Sequence, residues 1–290
     1  MELGAKRMKI HKVNLDEGRP KKPFISLAFR SLLIPLVVFL LVPSAQALND
    51  DSQPLPVGKQ GTPATHTSLR KFPQNLGGNF LALFSKKNVV PLMIGGAASG
   101  ILAPFDSDIR DHLSTDDESS TVGKIGAVMG GPAVVLPTVA GLLIAGNNSK
   151  NDRFHSFSYS LAQATVLEQA LVNGLKYAIG RPRPDESNNR SFPSGHAATS
   201  FMAATVVQHY YGTKAGIIGH SAATFITLSR ARENKHWATD LTAGAALGYI
   251  IGSSVCRRTG ISMRVGKVTL VPLIDMQHRR VGISFITGRD

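Results

Sequence analysis

The sequence predicts an all-α core of about six helices, followed by a short C-terminal β-hairpin. Three observations carry this. Stretches of helical length with little or no charge recur at 88–105, 125–149, 154–179, 195–211, 215–229 and 235–256. Clusters of Pro, Gly and polar residues punctuate them. The tail then changes character: 265–274 and 281–287 are rich in β-branched residues, with Gln277, His278 and Arg279 between them, which is a hairpin pattern. With 43% hydrophobic and only 18% charged residues over 290 positions, the chain can bury one large core.

The first 47 residues read as a targeting segment. A basic stretch through Lys21, Lys22 and Arg30 leads into SLLIPLVVFLLVP and then Ser44-Ala45-Gln46-Ala47. An apolar run of about 13 residues ahead of small residues fits a secretory signal and falls short of the ~20 needed to span a bilayer. Cleavage after Ala47 would begin the exported chain at Leu48; an uncleaved N-terminal anchor is the competing reading. Residues 48–86 follow as a linker and amphipathic segment. The first part, to about residue 66, is polar and rich in Pro and Gly, too poor in apolar surface to offset ordering entropy. The second sets Leu69, Phe72, Leu76 and Phe80 among Arg70 and Lys71, and Pro73 and Gly77-Gly78 predict a short or broken helix.

The main domain is expected over 87–257. Residues 88–105 contain no charge and read as helix. Residues 106–120 are acidic and serine-rich; Asp106 and Asp108 begin like a calcium loop, but Arg110 stands at the third acidic position and the required glycine is missing, so a solvated loop is expected. Residues 125–149 are long enough to cross a bilayer yet carry Gly130-Gly131-Pro132 and Pro137. A periodic helix over 154–179 precedes a loop with three prolines, at 182, 184 and 193. In the last helix, His236, Asp240, Gly244, Gly248 and Gly252 recur every four residues, so polar side chains and a glycine groove are expected on one face. Residues 258–290 form the hairpin tail.

The formal net charge is +13, and residues 1–47 hold eight Lys/Arg against three Asp/Glu, which leaves +8 for the remainder. That favours anionic partners such as lipid head groups, an anionic membrane surface or phosphorylated substrates. Nucleic acid is disfavoured, since there is no basic low-complexity tail and no zinc-finger or RNA-binding signature. The single cysteine, Cys256, excludes an internal disulfide framework and a cysteine-rich metal site.

Three short clusters carry the chemistry. Lys176, Arg183 and Pro184 lie in KYAIGRPRP; Pro193, Ser194, Gly195 and His196 form PSGH; Ser229, Arg230, His236 and Asp240 lie in SRARENKHWATD. Two guanidinium forks match phosphate oxygens bidentately and a lysine adds a mobile point charge. Ser194 and Gly195 stand where a loop enters a helix, whose backbone N–H groups bind anions. His236 can attack phosphorus with one ring nitrogen while Asp240, four residues on, accepts a hydrogen bond from the other. His196 is then the acid for the leaving alkoxide and later the base for water. Three neighbouring cations oppose its protonation, so the acid form is expected mainly once a phosphate dianion is bound. Each residue alone has a plainer reading as a surface cation, an N-cap serine or an ion pair. No metal-ligand pattern such as HExxH is present. Ser194 lacks the G-x-S-x-G elbow, and an acyl group would leave the cations without a role. His155, His209 and His220 have no partnered motif.

In order and spacing, K-x6-RP, PSGH and SR-x5-H-x3-D resemble the signature motifs of the type 2 phosphatidic acid phosphatase and vanadium haloperoxidase superfamily. Every signature position is filled, and the resemblance extends over roughly 87–257. It implies an all-α helical bundle and metal-free hydrolysis of phosphomonoesters or diphosphates (a lipid phosphate, a polyprenyl diphosphate or small phosphoesters). It further implies a phosphohistidine at His236, His196 as proton donor, and phosphate bound by Lys176, Arg183, Ser194, Gly195 and Arg230. No cofactor is implied, except vanadate under the alternative of a haloperoxidase using the same pocket; an anionic-lipid-binding protein without turnover is a third class. The expected setting is the cell envelope, at the periplasm or the outer face of the inner membrane. The family includes spanning and soluble members.

Overall fold

The computed structural model describes residues 68–114 and 121–259, with backbone also given for Val268–Asp275 and Arg280–Thr287. The expected signal at 1–47 and the linker to residue 66 lie outside the described residues. Among the described residues the chain is mostly helical: α1 (Phe72–Ala82), α2 (Val89–Leu102), α3 (Asp106–Leu113), α4 (Thr121–Met129), α5 (Pro132–Asn147), α6 (Asp152–Ile179), α7 (Gly195–Arg232) and α8 (Ala238–Arg258). The two C-terminal backbone stretches run antiparallel, Val268 opposite Thr287. A lone two-stranded pair is marginal in water, so the hairpin remains an expectation of the sequence.

Local chemistry sets the boundaries. Pro73 sits in the first turn of α1, where no N–H is needed, and Gly77 and Gly78 do not interrupt that helix. Gly131 and Pro132 end α4 and open α5. Asn151 caps α6 by accepting from the Phe154 N–H, and Gly180, at φ 61°, closes it by returning its N–H to the Lys176 carbonyl. Ser194 caps α7, whose regular geometry breaks once, at Gly212 (φ 82°, ψ −175°). This break separates the two helices expected over 195–211 and 215–229.

Helices α6, α7 and α8 form the centre. Phe157 and Leu161 from α6, Met202 and Val206 from α7, and Ile251 and Val255 from α8 share one buried cluster. The α7–α8 interface is the most extensive, and the glycines of α8 make it so. A Cβ on Gly244 would lie 2.5 Å from the Ser194 carbonyl oxygen, and one on Gly248 would lie 2.2 Å from that of Ala198. The glycine face therefore lets α7 lie backbone to backbone on α8. Asn88 fastens the α1–α2 junction to α8: its Nδ2 donates to the Ser254 hydroxyl at 2.8 Å, and its Oδ1 accepts from Arg257.

Two expectations are corrected. Residues 106–113, expected as a solvated loop, are helix α3, and Asp106 is buried. Its carboxylate accepts from Arg181, from the Thr239 N–H and from the Thr239 hydroxyl, and these partners offset its desolvation. Residues 115–120 of that expected loop lie outside the described residues. The last helix starts at Ala238 rather than about 235, so His236 precedes it and does not share a helical face with Asp240.

Two helical stretches are long and apolar enough to cross a membrane, Lys86–Leu113 and Gly123–Asn147, with mean hydropathies of 1.5 and 1.9.

Candidate active site

The three clusters reach one place by three routes. Lys176 comes from the last turn of α6 and Arg183 from the loop that follows. Ser194, Gly195 and His196 form the mouth of α7, with Arg230 in its last turn. His236 lies in the short connection to α8, and Asp240 in the first turn of α8. The 180–193 loop is held in shape by its own backbone, with the Arg183 N–H on the Asn188 carbonyl and the Ser191 N–H on the Arg181 carbonyl, both at 3.0 Å. The Trp237 indole N–H then fastens it to α8 through the Pro182 carbonyl at 2.9 Å.

A Cβ on Gly195 would lie 4.0 Å from the Lys176 Cε, so the end of α6 meets the mouth of α7, and the space there is the candidate phosphate cup. The Arg183 charge is near enough to lower the proton affinity of Lys176, Arg230, His196 and His236 alike. Burial, followed by Arg183, brings Lys176 down to about 8. The Nε atoms of Arg183 and Arg230 are buried without a hydrogen-bond partner, although buried donors are normally satisfied. Two forks with orphaned donors beside a helix mouth suit a tetrahedral oxyanion. Around the cup, Arg230 pairs with Glu233, and Lys235 with Asp185 at 2.6 Å. At the mouth of α7 the Ser194 N–H is committed to the Asp240 carbonyl at 3.0 Å, so Ser194 contributes through its hydroxyl and the turn it forms.

His236 is buried, and its Nδ1 lies 2.8 Å from the Ser191 carbonyl oxygen. A carbonyl only accepts, so Nδ1 carries the proton and Nε2 keeps its lone pair. Burial above all, with Lys176 and Arg183 adding to it and Asp240 opposing, lowers its pKa to about 4, which leaves a neutral imidazole at pH 7. His196 is likewise held at about 4, by burial and then Arg230; its Nε2 lies 3.0 Å from the Ala127 carbonyl and so donates to it.

The expected hydrogen bond from His236 to Asp240 is not made. Nδ1 stands 3.9 Å from Asp240 Oδ2, beyond hydrogen-bond reach. The carboxylate is occupied elsewhere. Oδ1 accepts from Arg181 at 2.7 Å, and Oδ2 accepts from the Ser191 hydroxyl at 2.5 Å and the Trp237 N–H at 2.9 Å. Burial alone would raise this carboxyl, but the His236 ring, Ser191, Arg181 and the Trp237 amide outweigh it and hold it below the usual range.

Sequence reasoning missed Arg181, Ser191 and Asp106. Arg181 and Ser191 sit inside the GRPRP and SFPSGH runs, where a polar residue between motif positions was the available signal. Asp106 gave none: its partner Thr239 lies 133 residues away.

Beside the cup, a cavity of about 300 Å³ lies between α4, α5, α6 and α7, lined mostly by apolar side chains including Val134, Val139, Leu142, Met202 and Ile226. It adjoins His196: Gly130, also in its wall, is so close that a Cβ there would lie 2.9 Å from the His196 Cδ2.

Residues 157–260 match the PAP2 superfamily. The lipid A 1-phosphatase of Porphyromonas gingivalis is 33% identical over 162 residues, which make up 54% of this chain and 35% of that protein, so this chain spans about a third of its length. The crystal structure of Aquifex aeolicus LpxE is 29% identical, with a TM-score of 0.39, and the match covers 47% of this chain and 83% of that one. Residues 157–260, the stretch that matches the PAP2 superfamily, contain all three motifs.

Proposed function

We propose that this chain hydrolyses the phosphate of a lipid phosphomonoester or diphosphate, without a metal, through a phosphohistidine at His236. What supports the reading is the meeting of the three motifs, with the Ser194 N–H on the Asp240 carbonyl at 3.0 Å and the Nε atoms of Arg183 and Arg230 buried without a hydrogen-bond partner. In the first step the His236 Nε2 lone pair attacks phosphorus and the P–O bond to the leaving group breaks. Arg183, Arg230 and Lys176 neutralise charge on the equatorial oxygens, with Ser194 and Gly195 binding at the mouth of α7. The bound dianion opposes the cations that depress His196, so the imidazole takes up a proton and delivers it to the departing oxygen. In the second step His196 accepts a proton from water, the water oxygen bonds to phosphorus, and the P–N bond breaks to release phosphate and neutral His236.

The apolar cavity beside His196 favours a hydrocarbon-bearing leaving group over a small soluble ester. A lipid substrate also agrees with the name of the P. gingivalis relative. The two apolar stretches, Lys86–Leu113 and Gly123–Asn147, support a chain seated in a membrane with its site near the surface. On the same reading, residues 1–47 are an export signal, 48–86 lead into the domain, and 258–290 form a hairpin tail, with the site at the cell envelope. N-terminal sequencing of the membrane fraction should then begin at Leu48.

The test is phosphate release by the full chain in detergent, with chelator present, from a phosphorylated lipid and from a short chromogenic ester. Wild type should turn over the lipid with the higher kcat/KM, and His236→Ala should lose activity by at least about 10³-fold while still binding inorganic phosphate. Unchanged turnover in His236→Ala, or halide oxidation with vanadate and peroxide in place of hydrolysis, would overturn the reading.

A further inference from the structure

Ser191 is completely buried and engaged at three atoms. Its N–H donates to the Arg181 carbonyl at 3.0 Å, its hydroxyl to Asp240 Oδ2 at 2.5 Å, and its carbonyl accepts from His236 Nδ1 at 2.8 Å. Behind it, Arg181 divides its guanidinium. Nη1 reaches Asp240 Oδ1 at 2.7 Å and the Thr239 hydroxyl at 2.5 Å, while Nη2 reaches Asp106 Oδ2 at 2.7 Å. Asp106 is anchored in turn by the Thr239 N–H at 3.0 Å. The Trp237 ring faces the Arg181 guanidinium at 5.5 Å. Helix α3 thus reaches the imidazole through an unbroken series of contacts: Asp106, Arg181, Asp240, Ser191, His236.

We propose that Ser191 is the positioning residue that fixes the tautomer and aim of His236, and that the Asp106–Arg181 ion pair sets the charge of the carboxylate behind it. The inference rests on the reading of His236 as nucleophile. When Nε2 bonds to phosphorus the ring becomes cationic and its Nδ1–H a stronger donor; the Ser191 carbonyl takes that bond, and Asp240 at 3.9 Å supplies the countercharge without a direct one. The charged and titratable groups facing the His236/Asp240 pair are Asp106 from α3, Lys176 from α6, Arg181 and Arg183 from the loop, and His196 from α7.

Two variants move this pair in opposite directions. Ser191→Ala removes a donor from Asp240, so the pair holds a proton more readily and the acid limb of the kcat profile moves to higher pH. Asp106→Asn removes a neighbouring negative charge, so the same limb moves to lower pH. Steady-state kinetics of the full chain in detergent, from pH 4 to 9, read both. Ser191→Ala keeps the main-chain carbonyl that holds His236 Nδ1 and removes only the hydroxyl bond to Asp240 Oδ2, so it reads the hold on the carboxylate: kcat should fall by up to about tenfold with KM little changed, and Ser191→Thr should restore the wild-type limb. Loss of stability alone shifts neither limb, so unchanged limbs in both variants would overturn the proposal, as would shifts of the same sign. Should Ser191→Ala not fold, the direction of the Asp106→Asn shift decides. The underlying reading is judged separately: wild type should give an acid-labile phosphoenzyme that His236→Ala does not form, and its absence would remove the nucleophile and this inference with it.

Discussion

Helix α6 turns buried Ser156, Ser158, Ser160, Gln163 and Thr165 towards its neighbours, whereas α2 leaves Val90, Leu92 and Met93 between 62% and 67% exposed. The two regions invert the usual rule of polar outside and apolar inside. Inside, several of these polar groups find partners on other elements: Gln163 bonds to Asn79 and to the Phe72 carbonyl, and Ser160 to Tyr210. Outside, α2, α4 and α5 leave Ile101, Val128 and Ile144 exposed, apolar side chains that water disfavours and lipid does not. The site sits where the inner, hydrogen-bonded region ends, on the loop and helix termini of α6, α7 and α8. There, rigid helices hold the charges and the loop remains polar.

The largest way to break this comparison is to remove a charge from the inner region. Arg183→Ala and Arg230→Ala should each lower kcat/KM by on the order of 10²–10³-fold, whereas Arg110→Ala, whose guanidinium pairs with Asp111, should leave it nearly unchanged; equal losses in all three would mean the cup is not the site. Next in size is the outer surface. Met93→Asp should cost about 2.5–3.5 kcal/mol of insertion if α2 lies in a bilayer, read as a larger fraction released by carbonate, and an unchanged fraction would remove α2 from the lipid. A finer contrast pairs two glycines. Gly248→Val forces a side chain onto the Ala198 carbonyl and should destabilise by about 1–3 kcal/mol or more, while Gly96→Val, with nothing within 4 Å, should leave Tm almost unmoved.

The smallest expected effect is in pH. His196 and His236 have folded pKa values near 4 against about 6.5 unfolded. Between those values the unfolded chain binds more protons, so stability falls as pH drops from about 6.5 towards 4. Tm measured at pH 7 and pH 5 should differ less in His196→Gln than in wild type.

How much was legible follows from the range of each signal. Helices with long apolar periods were readable, including the break near Gly212, because a left-handed glycine interrupts the period locally. The motif residues were readable as a set, since phosphate chemistry demands forks, a helix mouth and an imidazole in a recurring order. The start of α8 was misread because an i,i+4 spacing looks helical even where the first residue precedes the cap. Asp106 was misread because an acidic residue beside serines looks solvated until its partners are known.

The amino-acid sequence by itself determined the helical class, the three motifs and the glycine face on which α7 lies, all of which depend on neighbours within a few turns. Only the tertiary structure decided that His236 hangs from the Ser191 carbonyl rather than from Asp240, and that α3 reaches the site through Arg181. Those contacts join residues 45 and 75 positions apart, and a buried hydrogen-bonding group takes whichever partner the folded backbone brings within about 3 Å.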